Sequence, residues 1–160
     1  MCSSDTIKYV AYQAIPSGLS LLPRLMNTSE ARVMLLAIGL QESRFEHRVQ
    51  AETKSYWQFT LKEVHKIVKH SPSTTELVKD AVELLGYTFD VSTIYNKIED
   101  NDTLAVVVAR LLLYKSKRKL PVARDAVEGG KQYVELWQPG YSFKVDLWEA
   151  NFKVACNLIY

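Results

Sequence analysis

The chain has 160 residues, of which 48% are hydrophobic and 24% are charged. This composition excludes a disordered or fibrous chain, and the length fits one domain with its own core. The 20 basic and 18 acidic residues leave a net charge of +2, a balance that does not indicate a nucleic-acid partner.

The patterns of cysteine, histidine and apolar residues argue against several further classes of protein. Cys2 and Cys156 stand near opposite ends without a CxxC pair, and the histidines show no metal spacing, so we expect free thiols, no metal and no cofactor. The longest clean apolar runs, 33–40 and 104–109, are far shorter than the roughly 20 residues that cross a bilayer, so we expect no membrane insertion. The first 18 residues lack a basic start and an apolar core, which predicts cytoplasmic synthesis without a signal peptide.

Helical periodicity extends over nearly the whole chain and predicts a mainly α fold in one domain, 1–160, with 1–18 as a loosely ordered lead-in. Capping and breaking residues divide the pattern into six to eight helices. In chain order the main ones cover 27–45, 61–68, 73–86, 92–98, 103–114, 125–137 and 148–159. No strand is predicted, and residues 49–55 are expected to form a loop.

The helix over 27–45 is the most informative element. Asn27 and Glu30 form a capping pair at its start. Apolar residues cover almost its whole circumference, which is typical of a buried central helix. Glu42 stands near its C-terminal end, in line with an apolar stripe.

Glu42 is a candidate general acid. A carboxylate held against apolar surface ionises less readily, and the partial negative charge of a helix C-terminus acts in the same direction. A carboxyl group that keeps its proton near neutral pH can donate it to a leaving oxygen. The alternative is that Glu42 pairs with Arg44 or Arg48, or reaches solvent where the helix ends.

Residues 55–60, with the sequence SYWQFT, are a candidate wall of a sugar-binding cleft. Aromatic faces pack on the apolar faces of sugar rings, and a glutamine amide both donates and accepts hydrogen bonds. The alternative is that Trp57 and Phe59 are core residues beside a helix start.

The basic run 115–119 is either a solvated loop or a contact to an anionic polymer.

Taken in order, these segments resemble the lysozyme-like superfamily that includes goose-type lysozymes and soluble lytic transglycosylases. In that superfamily a Glu-Ser pair ends a buried helix, and a Gly-Leu-Met-Gln or Gly-Phe-Trp-Gln motif follows. Here the pair is Glu42-Ser43, and the second motif is Ser-Tyr-Trp-Gln at 55–58. The chain is most similar to small phage- and prophage-encoded lysozyme-like proteins, through shared motifs at 40–50, 57–59, 109–114, 120–121, 137–140 and Trp148.

The resemblance implies a single-domain lysozyme-like fold and cleavage of the bond between N-acetylmuramic acid and N-acetylglucosamine in bacterial peptidoglycan. It implies that Glu42 is the general acid. None of the nearby carboxylates, Glu46, Glu52 or Glu63, stands where a family motif requires one, so a lytic transglycosylase is favoured over a hydrolytic lysozyme. The glycan strands, and other phage virion proteins, are the expected partners.

The resemblance also implies a set of substrate-binding residues. Ser43 would form hydrogen bonds near the acid or the substrate. Gln58, with Tyr56 and Trp57, would line the cleft, and Tyr114 would face the glycan or the developing cation. Trp137 is either a further cleft wall or a core tryptophan.

Two departures from the family pattern leave an alternative function open. Ser55 replaces the glycine that usually opens the second motif, and the preceding loop, AETK, is shorter and lacks Gly-Pro. If these changes block the cleft, the chain would be a non-catalytic glycan-binding or structural virion protein.

A helical DNA-binding protein would need a basic helix face, which the dispersed basic residues do not form. Without a signal peptide, the protein would reach the cell wall in a virion or through a membrane hole.

Overall fold

The computed structural model describes residues 3–116 and 118–160, and this part of the chain is mainly α, as its periodicity predicts. It contains eight helices, a two-stranded hairpin and two short 3-10 turns. The helices are α1, with an α segment (Ser4–Tyr9), a π segment (Val10–Ala14) and a second α segment (Ile15–Leu19), α2 (Ser29–Glu42), α3 (Leu61–Val68), α4 (Pro72–Leu84), α5 (Val91–Lys97), α6 (Asp102–Tyr114), α7 (Ala126–Trp137) and α8 (Val145–Ile159). The hairpin strands are β1 (Val49–Gln50) and β2 (Thr53–Lys54), and the 3-10 turns are Arg24–Met26 and Gly140–Ser142.

Helix α1 belongs to the core, so the predicted loosely ordered lead-in over 1–18 is wrong for residues 4–18. Val10 and Leu19 are completely buried. Gly18 allows a close approach to α6, because a Cβ at this position would lie 2.4 Å from Val106 Cβ. The N-terminal helix is therefore an integral layer of the molecule.

Helix α2 is the buried central helix that the sequence predicts. Every residue from 33 to 40 is buried, and the helix packs along α8. Its start differs from the prediction by one residue, since Thr28 caps it by accepting a backbone N–H, while Asn27 accepts from the side chain of Arg32. Its last residue is Glu42, three residues before the predicted end at 45, so Glu42 lies at the C-terminal end of the helix.

Local capping signals predict some helix boundaries better than others. Thr60 and Glu63 form the predicted capping box at the start of α3, with both reciprocal hydrogen bonds. Helix α4 is capped by Ser71, two residues before the predicted start at 73, because Pro72 occupies the first helical position. The prediction that 49–55 is a loop without strands is wrong, because β1 and β2 pair there as a short antiparallel hairpin.

Two glycines in α7 allow α8 to approach closely. A Cβ on Gly129 would lie 2.8 Å from the Phe152 ring, and one on Gly130 would lie 3.1 Å from Trp148 Nε1. These positions lie one turn before Tyr133 on the same helix. The small residues therefore fix how the aromatic side chains of α7 and α8 pack beside the end of α2.

Candidate active site

Glu42 stands at an abrupt reversal of the chain. It is partly exposed, whereas the helix before it is buried. Arg44 and Phe45 both have φ of 55°, and the Phe45 ring folds back onto α2. Gly39 makes this possible, because a Cβ there would lie 2.3 Å from the ring. The carboxyl group is thus carried on the end of a rigid, buried element.

Ser43 holds this reversal together. Its side-chain oxygen donates to the Gly39 carbonyl at 3.2 Å and accepts from the Phe45 N–H at 3.1 Å. The residue is 2% exposed. Of the two roles that the resemblance implies for Ser43, these bonds fit the one near the acid, and the burial of the residue argues against a contact to substrate.

The surroundings of Glu42 favour its protonated form. The pKa of its carboxyl group is raised from 4.5 to about 7, and burial is the largest cause. A hydrogen bond from the Tyr133 hydroxyl to Glu42 Oε1, 2.9 Å long, acts in the opposite direction by stabilising the anion. The negative charge of Glu63 acts in the same direction as burial and contributes to the raised pKa. A large fraction of Glu42 therefore carries a proton at neutral pH.

Tyr133 is a neighbour of Glu42 in the candidate site that was not predicted from the sequence. Its ring stacks on Trp148, with centroids 5.0 Å apart and planes 7° apart, and on Trp137 at 6.3 Å. Burial and the charge of Glu42 raise the pKa of its hydroxyl, which therefore remains a hydrogen-bond donor. The available signal was the spacing of Tyr133 and Trp137, four residues apart on one face of a helix that packs beside Glu42.

The predicted ion pairs of Glu42 with arginine are not formed. Arg48 instead donates two hydrogen bonds of 2.9 Å to Asp102, which also accepts from the Tyr9 hydroxyl at 2.8 Å. This network ties the segment after Glu42 to α1 and α6. Arg44 is exposed, and the described part of the chain contains no ion pair to Glu42.

The aromatic residues of the second motif are core residues, which corrects the cleft wall expected at Tyr56 and Trp57. Trp57 is completely buried and donates its indole N–H to the Leu35 carbonyl at 2.8 Å. Tyr56 is 4% exposed. Its ring contacts the edge of Phe45 at 5.1 Å, and the Arg48 guanidinium lies 4.5 Å from its centroid.

Gln58 clamps the hairpin instead of presenting a free amide. Its Nε2 donates to the Ser55 carbonyl at 2.7 Å, and its Oε1 accepts from the Thr53 hydroxyl at 2.6 Å. Only 9% of the residue is exposed. The glutamine therefore positions the second motif, and a direct contact to substrate is left to the small exposed part of its surface.

Tyr114 and Trp137 lie at the ends of α6 and α7. Tyr114 is half-exposed, and none of the contacts described for residues 3–116 and 118–160 joins it to Glu42 or Tyr133. Trp137 is 7% exposed and donates to the Trp57 carbonyl at 3.2 Å, so it is mainly a core tryptophan.

Among the carboxylates considered for a second role, Glu63 is the one whose charge acts on Glu42. Its Oε1 accepts the Thr60 N–H at 3.0 Å as part of the capping box. Glu46 and Glu52 are exposed, on the turn after α2 and on the hairpin. Glu63 is therefore the neighbouring carboxylate with an electrostatic influence on the candidate acid.

The segment beside Glu42 contains an unusual concentration of left-handed backbone. Five non-glycine residues between 44 and 58 have φ between 53° and 73°: Arg44, Phe45, Ala51, Ser55 and Gln58. Each such conformation costs roughly 1 kcal/mol for an L-residue. Strain of this kind clusters at functional sites, where the surrounding structure enforces it.

Within 3–116 and 118–160, no group of three or more His, Cys, Asp or Glu side chains could hold a metal ion, and no helix has the length and hydropathy to cross a membrane. Cys156 is a buried free thiol, and Cys2 lies outside the described residues.

Comparison with known proteins gives no match to any family model, curated protein or solved structure.

Proposed function

We propose that this protein cleaves the glycosidic bond between N-acetylmuramic acid and N-acetylglucosamine in bacterial peptidoglycan, with Glu42 as the general acid. The observation that carries the proposal is the state of Glu42. Its carboxyl group is partly exposed at the end of a buried helix, and its pKa is about 7. Such a group holds a proton near neutral pH and delivers it to a leaving oxygen.

We further propose that the helices and the hairpin form a lysozyme-like arrangement. Support comes from a buried central helix that ends in the Glu-Ser pair and is followed at once by a short antiparallel hairpin. The left-handed φ of 73° at Ser55 supports the same alignment, because this is the position where the family has glycine.

The proposed reaction begins with the proton of Glu42. Since Tyr133 donates to Oε1, the proton of the neutral carboxyl resides on Oε2 and passes from there to the glycosidic oxygen. The bond to the anomeric carbon breaks, and positive charge develops on the muramic acid ring. The resulting carboxylate then accepts a proton from the attacking nucleophile.

Two nucleophiles are chemically available. Water gives a reducing end, whereas the 6-hydroxyl of the same sugar gives an anhydro end. We favour the anhydro product, because the neighbouring Glu63 is engaged in capping α3 through its Oε1. It is therefore less suited to act as the second carboxylate of an ordinary hydrolase.

Mass spectrometry of muropeptides released from purified peptidoglycan tests this function. Glu42→Gln should reduce release by at least about a hundredfold, the lower end of what general acid catalysis contributes. Glu52→Gln, which removes an exposed carboxylate on the hairpin, should release muropeptides like wild type. Undiminished release by folded Glu42→Gln would refute the proposed role.

The second candidate function is a non-catalytic glycan-binding or structural virion protein. The burial of Tyr56, Trp57 and Gln58 favours the structural form of this alternative, because the motif expected to hold the glycan for cleavage instead packs inside the protein. A folded wild-type chain that sediments with peptidoglycan but releases no muropeptides would establish this alternative.

A further inference from the structure

A cavity of about 170 Å³ lies between α3 and the C-terminal ends of α6 and α7. Four of its lining side chains are charged: Glu63, Lys66, Lys115 and Glu135. Pockets that enclose a whole small ligand have volumes of roughly 300–1,000 Å³. This cavity is smaller and suits one end of a larger molecule that is bound elsewhere.

The cavity adjoins the candidate active site through two of its walls. Glu63 lines it, and the charge of this residue raises the pKa of Glu42. Trp137 also lines it and stacks on Tyr133 at 6.3 Å, and the Tyr133 hydroxyl bonds Glu42 at 2.9 Å. The cavity is therefore connected to Glu42 through Glu63 and through the contact of Trp137 with Tyr133.

With Glu135 paired to Arg118, the two lysines outnumber the remaining carboxylate, Glu63, and leave an excess of one positive charge in the cavity. Glu135 pairs with Arg118 at 3.4 Å, and Glu63 accepts a backbone hydrogen bond. No ion pair to Lys66 or Lys115 is formed by the residues that the structure describes. Both ammonium groups are thus free to bind an anionic ligand. Lys115 begins the basic run 115–119, in which Lys117 lies outside the described residues.

We propose that this cavity binds a carboxylate-bearing end of the peptide stem on muramic acid, with Lys66 and Lys115 as its partners. The inference rests on the proposed function. Within peptidoglycan the sugar rings are uncharged, whereas the peptide stem carries carboxylates. Ammonium–carboxylate hydrogen bonds are among the stronger polar contacts in proteins. The enzyme should therefore prefer strands that carry their stems.

Steady-state cleavage of two substrates tests the preference. Intact peptidoglycan strands are compared with strands stripped of their peptides by an amidase. The double variant Lys66→Ala/Lys115→Ala should raise KM on intact strands about tenfold, the loss expected for one charged hydrogen bond, and leave kcat within about twofold. On stripped strands its KM should change less than about twofold. The charge-retaining double variant Lys66→Arg/Lys115→Arg should recover most of the affinity.

Lys62→Ala is the matched control, because Lys62 is an exposed lysine on the same helix that does not line the cavity. It should behave like wild type on both substrates. An equal loss on intact and stripped strands, or a loss as large in Lys62→Ala, would overturn the assignment to the peptide stem.

A binding experiment separates this inference from the proposed reaction. Titration calorimetry measures a soluble disaccharide-peptide binding to Glu42→Gln, with and without the two lysine substitutions. Weaker binding by the triple variant, by about tenfold, supports the inference even if wild type releases no muropeptides. Equal binding, or no binding by either chain, would overturn it whatever the activity of wild type.

Discussion

At Glu42 opposing influences set the protonation state of one carboxyl group. Burial disfavours the anion and is the larger influence, while the hydrogen bond from Tyr133 stabilises the anion. The balance leaves a pKa of about 7, where the protonated and ionised forms are both populated at neutral pH. A group in this range can donate a proton in one step and accept one in the next.

Replacing Tyr133 by phenylalanine tests this balance. Tyr133→Phe keeps the stacked ring but removes the hydrogen bond that favours the ionised form, so the pKa of Glu42 should rise above about 7. Titration of the glutamate side-chain carbonyl by carbon-13 NMR measures the change. Tyr141→Phe, at a fully exposed tyrosine, is the control and should leave the titration unchanged. An unchanged or lower pKa in Tyr133→Phe would contradict the proposed balance.

Ser55 offers a test of backbone strain. It is completely buried at φ 73°, and its hydroxyl accepts the Trp57 N–H at 3.1 Å. Both Ser55→Ala and Ser55→Gly lose this bond, but only glycine relieves the left-handed conformation. Urea unfolding should therefore show the glycine variant to be more stable than the alanine variant by about 1 kcal/mol. If Ser55→Ala were as stable as Ser55→Gly, or more stable, the left-handed conformation would have no such cost.

Residue positions could be predicted where the signal was local in the sequence, while the catalytic role of Glu42 stays a prediction. Glu42 was identifiable because apolar periodicity placed it at the end of a buried helix. Tyr133 was not, because its contact with Glu42 joins residues 91 positions apart. For Tyr56 and Trp57, residue type alone could not decide whether aromatic faces meet a sugar or the core.

At the element scale, helices were predictable because their signals lie within a few residues. The capping box at Thr60 and Glu63 is an example. Helix α1 was missed because Pro16 and Gly18 interrupt its pattern, whereas the structure accommodates the proline with a π segment in which the Ile15 N–H bonds Val10. The hairpin was missed because each strand has only two residues, too few for an alternating pattern.

The close packing of α7 against α8 predicts that a larger residue at Gly129 destabilises the protein. Helix propensity alone favours Gly129→Ala by about 1 kcal/mol. However, the new Cβ would lie 2.8 Å from the buried Phe152 ring and 3.2 Å from Met34 Sδ, and such overpacking costs about 1–3 kcal/mol. Gly129→Ala should therefore lower the free energy of unfolding, measured by urea denaturation.

The comparison for this variant is Lys131→Ala, a substitution at an exposed position of the same helix. It should change stability by less than about 0.5 kcal/mol. If Gly129→Ala instead stabilised the protein, the gain in helix propensity would outweigh the cost of the close contact between α7 and α8, contrary to this prediction.

At the scale of the whole molecule, burial of Glu42 links folding to pH. The carboxyl ionises near 4.5 when unfolded and near 7 when folded, so folding disfavours its ionised form. The native state is free of this penalty below about pH 4.5 and bears it fully above about pH 7. At 1.36 kcal/mol per unit, the loss of stability over this window is at most about 3 kcal/mol.

Glu42→Gln should remove this pH dependence. Glutamine does not ionise and can still accept from Tyr133, so the variant should gain stability over wild type as the pH rises from about 4 to about 8. The expected gain is up to about 3 kcal/mol in the free energy of unfolding. Glu52→Gln should show no comparable gain, because its carboxylate contacts solvent in both states. A constant difference between Glu42→Gln and wild type would mean that folding does not disfavour the Glu42 anion.

The central claim is that Glu42 acts through a proton that its burial retains near neutral pH. The pH dependence of kcat/KM for muropeptide release tests this claim most directly. We predict that activity falls on the alkaline side with an apparent pKa near 7, the value set by the surroundings of Glu42. Activity that stays constant from about pH 5 to about pH 9 would contradict the claim.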